Sequence, residues 1–394
     1  MSRLRARHWF AVILALGLVV VAYRVEATVQ LAAGNTQALR PAEAEPPDGL
    51  ALLRRTSEEA VAQTDNDPEQ TDSTSTADRE TALERGLPVL VAPLTGLPTD
   101  VETAGRSALV MKIDNHPRAR AQQTGLDQAD IVFDLRAEGV TRFAAVFQSQ
   151  IPDPVGPVRS SRTSDFDILR GFDTPLYGSS GGNDYVTNGL RNLPIVELTN
   201  RTRNEYFRNF SHPAPHNLYV NGSDLYDLAP SDLPVPQPWF QYRRAGEQLP
   251  DAARAAVGPI SVAFRDSPLV THEWDDRAGG WLRTQDGRPH TTVDGDQLAP
   301  ENVVIMITDY RTSPADPVSP EVRSTGRGEA VVLTDGMIIR GFWERVEAED
   351  KLTITDGEDT IISLTPGRTW VLMPEEGQVG FADGQLLGPP LSSG

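Results

Sequence analysis

Asp-Gly pairs at Asp286, Asp294, Asp335, Asp356 and Asp383 punctuate the last third of this sequence, between short runs rich in apolar and β-branched residues. No other feature restricts the fold as tightly. Asp-Gly favours two-residue turns whose twist matches that of paired antiparallel strands. The runs between the pairs include "GPISVAF", "GWLRTQDGRP", "ENVVIMITDY", "EAVVLTDGMIIRGFWERV", "KLTITD", "TIISLTP" and "RTWVLMP". Each has the length of one strand or one hairpin. Residues 259–376 are therefore predicted to form a mainly antiparallel β domain. The pairs recur without a fixed period, so they are local turn chemistry and not a structural repeat. Trp274, Trp281, Trp343 and Trp370 fall at strand positions and are predicted to be core.

Upstream the pattern mixes periods. "SALVMKI" reads as a strand, and "ADIVFDLRAEGVTRFAAVFQSQ" reads as a hairpin turning at Glu138-Gly139. "RTSDFDILRGF" predicts a short helix, capped by Thr163 or Ser164 and ended by Gly171. "TPLYGSSGG" is a strand entering a glycine-rich loop, and a further helix begins near Ser223. Residues 89–235 thus form a mixed α/β domain with a central hairpin, and the fold class of the whole is α+β. Proline-rich sequence from Pro230 to Pro238 opens a linker over 236–258, and residues 377–394 are expected to be a tail.

The first 88 residues cannot join either core. No aromatic residue occurs between Tyr23 and Phe133. From Pro41 to Arg85 there are twelve acidic and four basic side chains, a net of −8. Such a segment buries too little apolar surface to offset its ordering entropy, so 24–88 is predicted to be a disordered acidic linker. Before it, Arg3, Arg5 and Arg7 precede the apolar stretch "WFAVILALGLVVVAY". A basic start followed by such a run is an export signal, and Trp9 and Tyr23 sit where interfacial anchors do. Residues 1–23 therefore predict a signal peptide or signal-anchor helix. An uncleaved single-pass anchor is favoured over cleavage and secretion, with the rest of the chain outside the cytoplasm. The chain has no cysteine, hence no disulfide, thiolate nucleophile or lipid-attachment cysteine. Its net charge of −19 argues against a nucleic-acid partner.

The chemistry crowds into 89–235. Asp114, Asn115, His116 and Arg118 lie at the carboxyl end of the first strand, where Pro117 stops its continuation. Glu138 and Arg142 lie at the hairpin turn. Arg159, Ser160 and Arg162 precede the "SDFDILR" helix, whose free N–H groups would favour an anion. "HPAPHNLY" adds His216 and Asn217. These eleven residues are the ligand-binding candidates. Each has a plainer role too: turn formation for Asp114 and Asn115, and internal ion pairs for the arginines with Glu138, Asp165 or Asp167. No motif with metal spacing, no phosphate-loop lysine and no nucleophile elbow is present, so no metal, cofactor or catalytic residue is assigned.

"PLTGLP", "IDNHPRARAQQTGLDQADIVFD", "EGVTRFAAVFQSQ", "GPVRSSR" and "PHNLY", in this order, resemble the YerB-like lipoprotein family, domain of unknown function 3048. "NVVIMIT", "GEAVVLTDGMIIRGFW" and "PGRTWVLM" resemble its β-rich C-terminal partner domain. The resemblance spans residues 90 to 375. It implies an exported, envelope-attached bacterial protein of unassigned activity. The chain departs from the pattern in having Asp134 where a Glu is expected and "GSSGG" where a "HAGG"-like loop is usual. Lacking cysteine, it could be anchored only by its N-terminal helix. The leading reading is a noncatalytic module binding an anionic ligand or wall component through a polar Asp/His/Arg cleft. A hydrolase or transferase using the same cleft, and a scaffold for another envelope protein, stand as alternatives.

Overall fold

A computed structural model of the chain describes residues 90–382. The expected N-terminal helix, the acidic linker and the Asp383 turn lie outside the described residues. Among the described residues no helix is long and apolar enough to cross a membrane. The N-terminal half supplies strands β1 (Leu109–Asp114), β2 (Ile131–Arg136), β3 (Thr141–Phe147), β4 (Leu176–Gly178) and β5 (Val196–Glu197). The short pair β6 (Phe207–Arg208) and β7 (Leu218–Tyr219) follows. Then come β8 (Arg254–Ala255), β9 (Ile260–Val262), β10 (Val270–Asp275), β11 (Gly280–Gln285), β12 (Arg288–Pro289) and β13 (Asn302–Met306). Last are β14 (Tyr310–Thr312), β15 (Pro320–Val322), β16 (Gly326–Thr334), β17 (Met337–Arg345), β18 (Thr353–Thr355), β19 (Thr369–Leu372) and β20 (Val379–Phe381). Five short α-helices intervene among the described residues: α1 (Val101–Ala104), α2 (Pro117–Arg120), α3 (Asp165–Arg170), α4 (Asp184–Leu190) and α5 (Gly222–Tyr226). The molecule is mostly β.

The central sheet is mixed and runs β18-β17-β16-β13-β19-β2-β3-β1-β4-β5, with β8 on the edge of β17. It takes strands from both sides of the proline-rich linker, and the junction is β19 lying parallel to β2, with Trp370 opposite Val132. Its middle strands are buried on both faces, which the side-chain period of two makes legible. Val110, Phe133, Val146, Val304 and Val371 point to one core, and Met111, Val132, Phe147, Ile305 and Leu372 to the other. The first core packs under α3 and α4, with Trp239 and Phe240 from the linker. The second is closed by an antiparallel sheet, β12-β11-β10-β9-β20, through Ile260, Val270, Trp281 and Val379.

Of the four Asp-Gly pairs among the described residues two make two-residue turns, while Asp294-Gly295 and Asp356-Gly357 sit in longer loops closed by the Thr291–Gln297 and Thr355–Ile361 bridges. Asp335-Gly336 joins β16 to β17 with φ of 52° and 70°, and Asp286-Gly287 joins β11 to β12 with φ of 59° and 69°. Trp281, Trp343 and Trp370 are core; Trp274 is only half-buried, edge-on to Trp281 at 5.4 Å. Three expectations change. "TIISLTP" makes only isolated bridges, at Ile361 and Leu364. The segment expected as a tail begins with β20, because Val379 is buried against β9. The C-terminal strands are antiparallel except β19, which lies parallel to β13 as well as to β2.

Candidate functional site

The site forms where β1 ends. Val110, Lys112 and Asp114 alternate onto the helix-covered face of the sheet, and β3 sets Arg142 directly opposite Asp114. On the other side the segment before α3 runs antiparallel to β1, pairing Val158 with Ile113. Arg159 N–H donates to the Lys112 carbonyl at 2.8 Å. This places Asp114, Arg142 and Arg159 at one strand end although they are far apart in sequence.

Asp114 is 1 % exposed. A buried carboxylate needs partners, and it has three. Its Oδ2 accepts from His216 Nδ1 at 2.7 Å, its Oδ1 accepts from the His116 N–H at 2.9 Å, and Arg159 Nε lies 3.2 Å from Oδ2. Arg159 Nε makes no directed hydrogen bond, so this last contact is an ion pair. Because a carboxylate can only accept, His216 carries its proton on Nδ1, and Nε2 has no hydrogen-bond partner among the described residues. The His116 ring stacks on His216, centroids 4.4 Å apart and 18° between planes. His116 also caps α2, its Nδ1 accepting from the Arg118 N–H at 3.2 Å. Burial, then the neighbouring His216, lowers the His116 pKa. The Arg118 side chain is exposed.

Glu138, Arg142 and Arg162 make a separate cluster. Arg162 grips Glu138 with both Nε and NH2, at 2.6 and 2.9 Å, and Arg142 NH2 approaches at 3.0 Å. Ser319 Oγ, from beside β15, also donates to Glu138 at 2.5 Å. Burial pushes the Glu138 pKa up, but these hydrogen bonds and both guanidinium charges outweigh it and hold the carboxyl at about 2. Burial beside Arg162 brings Arg142 down to about 10. The start of α3 is occupied as well: Asp165 accepts from the Arg162 N–H at 2.7 Å, and its other oxygen pairs with the buried Lys112 at 2.5 Å. Burial, opposed by Asp165, lowers the Lys112 pKa.

The remaining candidates support their neighbours. Asn115 donates to Thr141 Oγ1 at 2.7 Å. Ser160 Oγ is 3.1 Å from Ser180 Oγ, so this serine is paired with another hydroxyl. Asn217 accepts from Arg208 at 2.8 Å and donates to the Asn209 and His212 carbonyls. Among the described residues no group of three or more His, Asp or Glu is arranged to hold a metal ion.

Sequence reasoning missed a buried chain that reaches the site from the second sheet. Gln123 Nε2 donates to the Asp114 carbonyl at 2.7 Å, and its Oε1 accepts from His290 Nε2 at 2.5 Å. His290 Nδ1 in turn accepts from Arg283, which donates to Asp134 at 2.7 Å. The polarity is unambiguous, because Arg283 can only donate. His290 is therefore neutral with its proton on Nε2, in keeping with the burial and Arg283 charge that lower its pKa. Nothing in the local sequence marks Gln123 or His290. The only hint was Asp134, a charge in an apolar strand pattern. Two hollows, of about 870 and 630 Å³, lie in the C-terminal half away from these residues; Ala255, Ile338 and Phe381 line the first, and Arg323, Arg327 and Trp343 the second.

Comparison with known proteins adds three likenesses. The family model described as "Protein of unknown function (DUF3048) N-terminal domain" matches residues 94–233, and that of the DUF3048 C-terminal domain matches residues 260–371. The "Putative lipoprotein YerB" of Bacillus subtilis (strain 168) is 29% identical over 319 residues, covering 75% of this chain and 90% of that protein. The crystal structure of YerB from Bacillus subtilis superposes with a TM-score of 0.65 at 24% identity, covering 74% of this chain and 99% of that one. At that identity it speaks for the fold alone.

Proposed function

The chain belongs to the DUF3048 family, a family of unknown function, and from that premise we propose that it is an extracytoplasmic envelope protein that binds an anion. Its N-terminal segment holds it at the membrane, as the lipoprotein name of its relative suggests. Its N-terminal half, read as an α+β unit built on the β2–β3 hairpin, carries the site. The supporting observation is the Asp114–His216–Arg159 contact set with His116 stacked upon it. Asp114 orients His216 so that Nε2 faces away from the carboxylate. Arg118 and Arg159 outnumber the single carboxylate. This local excess of positive charge stands in a chain of net −19. Glu138 pairs with both Arg142 and Arg162, so these two are engaged within the fold and the anion site is narrower than the eleven candidates.

An acid–base role for His216 in a hydrolase or transferase is the second reading, favoured by its Asp-oriented ring. Among the described residues no hydroxyl hydrogen-bonds the His216 ring, and Ser160 is paired with Ser180. The test is the thermal stability of the full chain with inorganic phosphate, sulfate and acetate, against Arg159→Ala and His216→Ala. Phosphate at 100 times its dissociation constant adds about 2.7 kcal/mol to the wild type. The shift should vanish in Arg159→Ala. Folded protein that no anion stabilises would sink the proposal.

A further inference from the structure

We infer, resting on the anion site proposed above, that the ligand is a polyanion whose repeating unit carries a sugar ring. The loop that delivers His216 is the reason. It spans Asn209–Asn217 between β6 and β7 and is braced from within. Asn209 N–H donates to the Asn217 carbonyl at 3.0 Å, and the Asn217 side chain bonds the Asn209 and His212 carbonyls at 3.2 and 2.9 Å. Arg208 NH1 donates to Asn217 Oδ1 at 2.8 Å. On this braced loop Phe210 is 87 % exposed. Beside it Phe207, half exposed, stacks on Tyr219 with centroids 6.1 Å apart and 25° between planes. An aromatic side chain carried on a preorganised loop is a contact surface whose backbone has little ordering left to lose on binding.

Charge selects the partner. Residues 201–216 carry three arginines and one glutamate within an acidic chain. Arg201, Arg208 and Arg118 are exposed, and Arg159 is partly so. Arg118 and Arg159 both act on His116, whereas Arg208 lies on β6 and Arg201 before it, leading into the Phe210 loop. A single small anion would use one or two of them; a repeating anion uses all. A ring-free polyanion would leave Phe210 idle, and a neutral glycan would leave the arginines idle. A membrane surface matches the composition but not the relief. Phe210 protrudes while His216 and Asp114, at 6 % and 1 % exposed, lie recessed. A flexible chain can follow that step and a flat bilayer cannot.

The test titrates the full chain with inorganic phosphate, linear polyphosphate and a synthetic hexose-phosphate oligomer of matched charge. Phosphatidylglycerol vesicles form a fourth arm. The oligomer should bind at least fivefold more tightly than polyphosphate. Phe210→Ala should abolish that advantage and leave inorganic phosphate binding unchanged. Equal affinity for the two polymers, or an advantage that survives Phe210→Ala, overturns the inference while the anion site stands. Binding to vesicles through Phe210, with none to the oligomer, replaces the inference with a membrane surface. Absence of binding to every probe removes the anion site and this inference together.

Discussion

Arg142 and Arg162 show how little a charge list says until partners are known. Both were candidates for an anion, and both are satisfied by Glu138. Glu138 should therefore give the fold a measurable acid limb. Its folded pKa, about 2, lies below the ordinary 4.5, so its contribution is complete above pH 4.5 and is lost as pH falls toward 2. The urea midpoint of the wild type should exceed that of Glu138→Gln at pH 6, and the gap should narrow between pH 4.5 and 2. A constant gap would show that Glu138 acts by packing alone. The Lys112–Asp165 pair is more deeply buried, with both side chains 1 % exposed. Lys112→Met strands a carboxylate and should cost about 3–5 kcal/mol in urea denaturation. Lys112→Met combined with Asp165→Asn should cost less than the single change, since no net charge then stays buried.

Elements explain how residues distant in sequence meet. The end of β1 holds Asp114, the loop from there to β2 holds His116 and Gln123, and the second sheet clamps it. His290 and Arg283 reach Gln123 from one side, and Val293 N–H donates to the Gln123 carbonyl at 3.0 Å. Gln123→Leu leaves the Asp114 carbonyl and the His290 N–H without partners, and each buried orphan costs about 1–3 kcal/mol. A loss of roughly 2–5 kcal/mol is expected by denaturation, together with weaker phosphate binding as the loop loosens. Stability lost with phosphate affinity intact would show that the clamp serves folding only. The Asp335-Gly336 turn is the opposite case, decided by neighbours in sequence. Gly336→Ala puts a Cβ at φ 70° and 3.0 Å from Trp274 Nε1, and should cost about 1–2 kcal/mol.

At the scale of the whole molecule, the two halves matched by the family share one sheet. Separating them would bare β2 and β19, whose residues on both faces are core. Chains 90–235 and 259–382 expressed apart should each lack a cooperative unfolding transition, whereas the joined chain shows one by calorimetry. Two independent transitions would mean that the β2–β19 pairing adds little. Local order was legible in the sequence: the β2–β3 and β16–β17 hairpins, the bounds of α3 at Ser164 and Gly171, though Ser164 makes no side-chain cap hydrogen bond, and the crowding after Ile113. These depend on φ preferences, the side-chain period of two and missing N–H groups, which residues carry wherever they lie. The joining of β19 to β2, the burial of Val379 in β20, and the Arg283–His290–Gln123 chain were not legible. Each links residues more than 100 positions apart, and strand pairing leaves no mark on the composition of either strand. The sequence determined by itself which residues could turn, cap and carry charge. Only the tertiary structure decided which charges cancel, because a salt bridge depends on distance across the fold and not along the chain.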